Sequence, residues 1–593
     1  MEVKEKLKKL RRLMAENGID VYIIPSGDPH LSEYVADHFK AREWISGFTG
    51  SAGTVVVSQT EAGLWTDSRY FLQAEEELKD TGIVLHKVID RSYANFIKYI
   101  VEHYPPHTVV ACDGRLFSYG QIESYKKELS AHDIVLLPDK DLISPIWDDR
   151  PPLPQNQIFD HPVKYTGVDR KEKISKVRSV MKEKGADYYL MSALDGIAWL
   201  LNARGSDIEF NPVFLSFLLV SGDKLVLFME KKKIPASLLE DFTAAGVSVM
   251  PYEDVYDYIS ALPRGEKLFL DKNLSNYHLY VSIGATVIDG DDIVTGMKAI
   301  KNETEIKNLK EAHVQDGVAL VRFYMWLEKE LQHRPVSEYE AVEKIAYFRS
   351  LNPEYVSESF AAIVGYRSNG AIIHYSPDAG NSALIYPEGM LLIDSGGQYF
   401  NGTTDITRTT YMGEPPEEAK RNFTLVLKGH IAVATLVYPE GTNGYQIDTF
   451  ARQYLWRYGL NYYHGTGHGV GFFLNVHEGP QGISYSYTAR TKIPLAAGML
   501  NSNEPGYYKD GHYGIRIENL ILTVEKENTD FGKFYGHETV TLFPLDTKLI
   551  DKKLLTPGEI DWINGYHERV FKALSGFLNE EEKLWLKKKC EKI

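Results

Sequence analysis

Cysteine is almost missing from this chain: Cys112 and Cys590 are the only two in 593 residues. Two thiols so far apart give no disulfide framework and no thiolate metal site, which fits a reducing compartment. Long apolar runs are missing too. The longest, FLSFLLV at 214–220, is stopped by Ser221-Gly222-Asp223-Lys224 and is too short to span a bilayer. The start, MEVKEKLKKL, is charged and lacks the apolar core of a signal peptide. An excess of basic charge is also absent. Lys and Arg number 66 against 81 Asp and Glu, and the net charge of −15 is spread along the chain, which argues against nucleic acid as a main partner. Together these absences predict a soluble, cytoplasmic, acidic protein with neither a membrane nor a nucleic-acid partner.

What is present has ordinary globular proportions, 44% apolar and 25% charged. The length exceeds what one hydrophobic core serves, so about three domains are expected. Val3, Leu7, Leu10 and Met14 fall on one helical face, and Gly18 is placed to end that helix. VYIIP at 21–25, TVVVS at 54–58 and the segment around Trp65 read as strands, giving an α/β pattern. The layout returns 167 positions later: KEKISKVRSVMKEKGADYYLM at 171–191 repeats KEKLKKLRRLMAENGIDVYII at 4–24. Met181, Gly185, Asp187 and Tyr189 fall where Met14, Gly18, Asp20 and Tyr22 fall, which reads as two related α/β domains in tandem. The proline-rich DRPPLPQNQ at 149–157 is a stiff linker between them. Asn302 and Glu305 form a capping box that opens a helix running to about Leu331. The expected domains are thus 1–158, 159–300 and 301–593, the last with a polar helical extension from about 550.

Chemistry-bearing residues concentrate in the last domain. Asp394, Asp405, His468, Glu504 and Glu518 each sit beside glycine or in a short β-like run, where backbone approaches closely or turns sharply. Asp394 closes the apolar strand GMLLID, and Ser395-Gly396-Gly397 turns the chain. A simple hairpin would set residue 399 opposite Asp394, so the turn signal at Asn401-Gly402 must bring Asp405 back. Glu504 follows a similar run, GMLNSNEPG at 498–506. YGIRIENLILTV at 513–524 then alternates as one strand, with Arg516 and Glu518 on one face. The domain therefore reads as two similar halves, each giving one carboxylate pair to a common cleft. Two like charges about 4 Å apart at an effective dielectric of about 20 repel by on the order of 4 kcal/mol, so four acids call for cations. Four carboxylates and one imidazole suit two hard or borderline divalent ions, Mn²⁺ ahead of Zn²⁺. His374 in GAIIHYSP, His464 and His468 in HGTGHGVG, and His477 in NVHEGP add donors and proton carriers, with His468 the best ligand among them. The alternating glycines of HGTGHGVG are no phosphate cradle, because neither a strand–GxGxxG–helix order nor a P-loop lysine accompanies them.

These segments resemble a known family. LLIDSGGQYFNGTTDITRT, HGTGHGVG, NEPGYY and GIRIENL look like the metal-site signatures of the pita-bread metallopeptidases, which include methionine aminopeptidase, prolidase, aminopeptidase P and the metal-free creatinase. YIIPSGDPHLSEYV, WISGFTGSAGTVVV and WTDSRYFLQAE resemble the long, three-domain cytosolic aminopeptidases P, and the likeness covers nearly the whole chain. It implies an α/β fold of two tandem creatinase-like domains followed by a pita-bread catalytic domain. It also implies an Xaa-Pro aminopeptidase that uses a hydroxide bridging two metal ions and acts as a homodimer. Asp394, Asp405, His468, Glu504 and Glu518 would bind two Mn²⁺ (Zn²⁺ or Co²⁺ as alternatives), with Asp405 and Glu518 bridging and Glu504 also serving as base. His374 and His477 would bind substrate and stabilise the intermediate, with His468 beside them. His464 would be a further active-site histidine, Tyr508 and Arg516 would support the metal surroundings, and Arg69 of the first domain would reach toward the peptide. The nearest rival is prolidase, which shares the five ligands but resembles a shorter two-domain plan. A binding protein that kept the fold and lost its metals is a second alternative, opposed by all five ligands being present.

Overall fold

Helix α1 (Val3–Glu16) forms where the apolar face predicts it. It buries Leu7, Leu10 and Met14, and Gly18 at φ +64° releases the chain into strand β1 (Val21–Pro25). β1 begins a six-stranded sheet with β2 (Thr54–Ser58), β3 (Ala62–Asp67), β4 (Val84–Val88), β5 (Val109–Cys112) and β6 (Val135–Leu137), in the order β4-β3-β2-β1-β5-β6. Helix α2 (Arg170–Glu183) leads into a second set: β7 (Tyr188–Met191), β8 (Phe217–Ser221), β9 (Leu225–Phe228), β10 (Val247–Met250), β11 (Lys267–Leu270) and β12 (Thr286–Asp289). Their order is β10-β9-β8-β7-β11-β12, the same as the first, with the same strand senses throughout. The repeat in sequence is therefore a repeat in topology, and its signature residues do matching work. Gly185 takes φ +68° as Gly18 does. Asp20 Oδ2 accepts the Val109 N–H on β5 at 2.8 Å, and Asp187 Oδ2 accepts the Lys267 N–H on β11 at the same distance. The computed structural model describes residues 2–89, 95–380 and 382–593. The two repeats form one unit, made of residues up to 161 and 168–294.

The second unit comprises 162–167 and 295–593. Helix α3 (Glu303–Glu330) opens with the expected capping box of Asn302 and Glu305 and is followed by α4 (Glu338–Ser350). A three-stranded antiparallel sheet comes next: β13 (Ile363–Tyr366), β14 (Gly389–Ser395) and β15 (Ile406–Met412), with β14 central. Helices α5 (Glu417–Ala434) and α6 (Gly444–Trp456) lead to a six-stranded sheet. Its strands are β16 (Val437–Pro439), β17 (Gly467–Gly469), β18 (Glu478–Ile483), β19 (Leu500–Asn503), β22 (Asn519–Thr529) and β23 (Gly532–Thr539), ordered β16-β23-β22-β19-β17-β18. The ribbon β20 (Gly506–Lys509) with β21 (Tyr513–Arg516) stands apart from it. The polar C-terminal helices are α7 (Pro557–Leu574) and α8 (Glu580–Lys589). One core joins these layers, with Phe323 and Leu327 of α3, Ile393 of β14, Val426 of α5, Ile515 of β21 and Ile563 of α7 all buried in it. Among the described residues, no helix is long and apolar enough to cross a membrane.

Candidate active site

The first carboxylate pair arises as the looped return required. In the β14–β15 register Asp394 faces Thr407 and Ser395 faces Ile406. Between them the chain makes a small hairpin, 397–399 against 402–403, and then delivers Asp405 at the threshold of β15. Gly396 is needed there, because a Cβ at this position would lie 2.0 Å from the Thr404 carbonyl oxygen.

The second pair comes from the larger sheet. β19 and β22 pair up to Asn503↔Asn519, so Glu504 and Glu518 leave the ladder side by side. The expectation of one continuous strand over 513–524 is corrected here. β21 and β22 belong to different sheets, and Ile517–Glu518 lies between them. The break has a physical cause. The Glu518 N–H donates to the Thr407 carbonyl at 3.1 Å and the Ile517 N–H to the Pro505 carbonyl at 3.3 Å, pulling the backbone off both ladders. Arg516 and Glu518 nonetheless meet. The Thr407 hydroxyl donates to Glu518 Oε2 at 2.8 Å and accepts from Arg516 Nε at 3.1 Å. Each half of the unit thus supplies two acids.

His468 sits in the short strand β17 rather than in an open glycine loop. A Cβ at Gly467 would meet the Ser502 carbonyl oxygen at 2.0 Å, and one at Gly469 would meet that of Glu478 at 2.4 Å. The glycines therefore allow neighbouring strands to close up, a second reason to discard a phosphate cradle. His468 Nδ1 lies 3.0 Å from the Gly469 carbonyl oxygen, so it donates there and leaves Nε2 as the nitrogen that would ligate a metal once deprotonated. Nε2 stands 3.5 Å from Asp405 Oδ2 and 3.4 Å from Glu504 Oε1. Ligand atoms of Asp405, His468 and Glu518 all lie within 4.8 Å of one another. Arg516 holds Asp394 Oδ2 at 2.6 Å, while Asp394 Oδ1 is buried without a hydrogen-bond partner.

Burial pushes the Asp394 carboxyl up to about 6, with Asp405 and Glu504 adding to the rise and Arg516 only partly opposing it. Burial likewise raises Glu504, and it raises Glu518 well above the carboxylate range with help from Asp405 and Asp394. Burial works against a charged His468, but the hydrogen bond to Asp405 and the charges of Glu504 and Asp405 outweigh it and lift the imidazole to about 9. Four buried carboxylates against one guanidinium, with an unpartnered carboxylate oxygen, form a donor set that fits divalent cations.

The surrounding residues hold this geometry. Arg516 Nη1 donates to the Tyr508 hydroxyl at 2.7 Å, and that hydroxyl lies 2.9 Å from His464 Nε2. The His464 carbonyl is held in turn by Arg452, which is buried in an ion pair with Asp448. The His477 ring stands perpendicular to that of His468 at 4.3 Å between centroids. Glu478, the next residue, is gripped by Lys301 Nζ at 2.6 Å and Lys298 Nζ at 2.9 Å, all three side chains being at most 1% exposed. His374 follows the turn 367–371, which packs against β14, β20 and β21; a Cβ at Gly514 would lie only 1.7 Å from the Gly370 carbonyl oxygen. Arg69 belongs to the other unit, where Nε and Nη2 grip Asp67 at 2.8 Å each. Sequence reasoning passed over Thr407 and Ser502. The Ser502 hydroxyl accepts the His468 N–H at 2.9 Å and donates to Glu504 at 3.1 Å. Both residues lie two positions from a site acid along an extended chain, a same-face spacing that flags them.

Comparison with known proteins agrees with this layout. Residues 6–140 and 149–305 each match the creatinase/prolidase N-terminal domain, 307–525 match metallopeptidase family M24, and 533–593 match the C-terminal region of peptidase M24. Fold and site thus define an M24 metallopeptidase with two creatinase-type domains before it. The chain is 41% identical over 603 residues to the probable Xaa-Pro aminopeptidase P of Laccaria bicolor, covering 99% of this chain and 93% of that protein. It is 41% identical over 614 residues to Xaa-Pro aminopeptidase 1 of Dictyostelium discoideum, covering 100% and 97%. The crystal structure of X-prolyl aminopeptidase from Caenorhabditis elegans, described as a cytosolic enzyme with a di-nuclear active site, superposes with a TM-score of 0.94 over 100% of both chains at 36% identity. The chain belongs to the Xaa-Pro aminopeptidase P family. A prolidase from Thermococcus sibiricus, 26% identical with a TM-score of 0.50, matches over only 64% of this chain.

Proposed function

We propose that this protein is an Xaa-Pro aminopeptidase, which hydrolyses the bond after the first residue of peptides whose second residue is proline. The observation that carries this reading is the convergence of Asp405, His468 and Glu518, with Asp394 and Glu504 completing the set, in a chain alike from end to end to named Xaa-Pro aminopeptidases. Two divalent ions held by these five residues, Mn²⁺ in preference to Zn²⁺ or Co²⁺, supply Lewis acidity and an activated water when bound. Glu504, raised by burial and hydrogen-bonded by Ser502, takes the proton of the attacking water. His477 and His374 orient the substrate and donate to the developing oxyanion, an effect typically worth about 3–4 kcal/mol per donor. His464, Tyr508 and Arg516 form the relay that fixes Asp394. Arg69 is assigned to the peptide by the likeness of WTDSRYF alone. Proline has no amide hydrogen and a fixed φ, so its peptides need a site that does not read that hydrogen. We further propose a cytoplasmic homodimer with domain boundaries near 158 and 300. Trp456, Tyr458, Tyr463 and Tyr487 of the catalytic unit are each at least 47% exposed, and such large exposed aromatics support self-association.

The test is release of the first residue from Arg-Pro-Pro by chelator-stripped protein, with and without Mn²⁺, beside an Arg-Ala control and an Xaa-Pro dipeptide. Metal-dependent cleavage of the tripeptide with little from the control is the expected result. Cleavage of the dipeptide alone would move the assignment to prolidase, and no cleavage with any metal would end the enzymatic reading.

A further inference from the structure

Glu338 opens helix α4 and is 0% exposed, yet among the described residues its carboxylate is met only by neutral donors. Its oxygens accept from the Tyr366 N–H at 2.7 Å, the Asn369 amide at 3.0 and 3.1 Å, the Tyr375 hydroxyl at 2.7 Å and the Ala383 N–H at 2.8 Å. The Glu338 N–H returns a bond to the Ala383 carbonyl at 3.0 Å. All four donors lie on one segment, 366–383, and they bracket His374 on both sides. Tyr366 ends β13, and from Arg367 to Ala383 the described residues hold no strand and no helix beyond the turn 367–371, so few backbone ladders stabilise this stretch. It also begins at Arg367 with φ +51°, a left-handed conformation that a non-glycine residue keeps only when its surroundings enforce it.

We propose that Glu338 is a positioning residue for the reaction: its buried carboxylate clamps the segment 366–383 and thereby fixes His374 against the metal site. This rests on the function proposed above. The chemistry requires an acid and not an amide. Every partner offers a hydrogen, and the two backbone N–H groups cannot reverse to accept one. Burial and the bond to Glu338 push the Tyr375 phenol well above its ordinary range, so it remains a donor. Charge-assisted bonds of this kind are about twice as strong as neutral ones, which suits one side chain to closing an 18-residue loop. The start of a helix adds a favourable dipole.

The test compares wild type, Glu338→Gln, Tyr375→Phe, His374→Ala and the double variant Glu338→Gln/His374→Ala, all loaded with Mn²⁺. Glu338→Gln keeps the volume but turns an amide N–H₂ toward a backbone N–H. It should lower kcat on Arg-Pro-Pro by on the order of 10- to 30-fold, with KM within about 3-fold and metal content unchanged. Tyr375→Phe removes one donor and should lose about 3-fold; being the milder change, it keeps the test alive if Glu338→Gln does not fold. The decisive reading is the double variant. A clamp acting through His374 makes it no slower than His374→Ala alone, whereas losses that multiply would overturn the proposal. Wild-type turnover in Glu338→Gln or in a folded Tyr375→Phe would overturn it equally. A wild type that cleaves no proline peptide sinks the function itself, which separates the two failures.

Discussion

Replacing Glu478 by glutamine should damage this protein far more than replacing either lysine that holds it. The carboxylate lies 2.6 Å from Lys301 Nζ and 2.9 Å from Lys298 Nζ, with all three side chains buried. At those distances and an effective dielectric of about 20, each pair attracts by about 6 kcal/mol before desolvation is counted. Removing the shared carboxylate takes the ion-pair partner from two buried ammonium groups, and breaking a buried pair in this way costs about 3–5 kcal/mol. Lys298→Met is different. It leaves one lysine facing one carboxylate, a balanced pair, and the new side chain fills the same space, so the expected cost is below about 1.5 kcal/mol. In a unit of about 300 residues about 1.5 °C of melting temperature follows each kcal/mol, so Glu478→Gln should melt about 5–8 °C below wild type and Lys298→Met within about 2 °C of it. Scanning calorimetry on the three full-length proteins reads the ordering directly, without assuming that a chain of two units unfolds in one step. Equal losses in the two variants, or a Glu478→Gln protein as stable as wild type, would refute the charge argument. Because Glu478 begins β18 directly after His477, any variant that releases it should also lose turnover.

The metal-free protein should respond to pH in one direction. Asp394 rises from an ordinary carboxylate value to about 6, and His468 rises from 6.5 to about 9, so the native state binds more protons than the unfolded chain across that whole span. Stability from both groups is therefore present at low pH and lost as pH climbs through about 6 and then about 9. Bound metal replaces those protons, so the melting gap between Mn²⁺-loaded and chelated protein should widen from pH 5 to pH 8.5, and a constant gap would contradict the site as described. Gly514→Ala places a Cβ 1.7 Å from the Gly370 carbonyl oxygen, a backbone atom that cannot swing away. It should cost about 3 kcal/mol or more and lower turnover by displacing the turn before His374; a variant with native melting and activity would show that the contact is not real.

What could be read from the sequence was local chemistry. Gly18 and Gly185, Asp20 and Asp187 were legible as a repeat because each performs a backbone task within its own strand-helix unit, so its spacing is kept. The return of Asp405 was legible because Ser395-Gly396-Gly397 and Asn401-Gly402 are turn chemistry. The break at Ile517–Glu518 was not, since the alternation of YGIRIENLILTV continues smoothly through it. Only hydrogen bonds to Thr407 and Pro505, distant in sequence, pull the chain off its ladder. The same holds for the supporting carboxylates. Glu478 finds its lysines 177 and 180 positions upstream, and Glu338 finds its donors 28 to 45 positions downstream, where no periodicity reaches.

Those two carboxylates share a logic that the five site residues alone do not reveal. Among the described residues of the catalytic unit, only Arg367 and Phe473 take left-handed backbone without being glycine, at φ +51° and +48°. Each lies a few residues before one of the two histidines assigned to substrate, His374 and His477. Such conformations cost of order 1–3 kcal/mol and persist only where tertiary bonds over-determine them. Glu338 closes the first segment, and the Lys298–Glu478–Lys301 cluster anchors the second. The metal ligands depend less on such clamps, because they sit on paired strands or next to their ends. The histidines sit on irregular chain, where the geometry needed to meet a developing charge must be held by buried ions instead of by ladders.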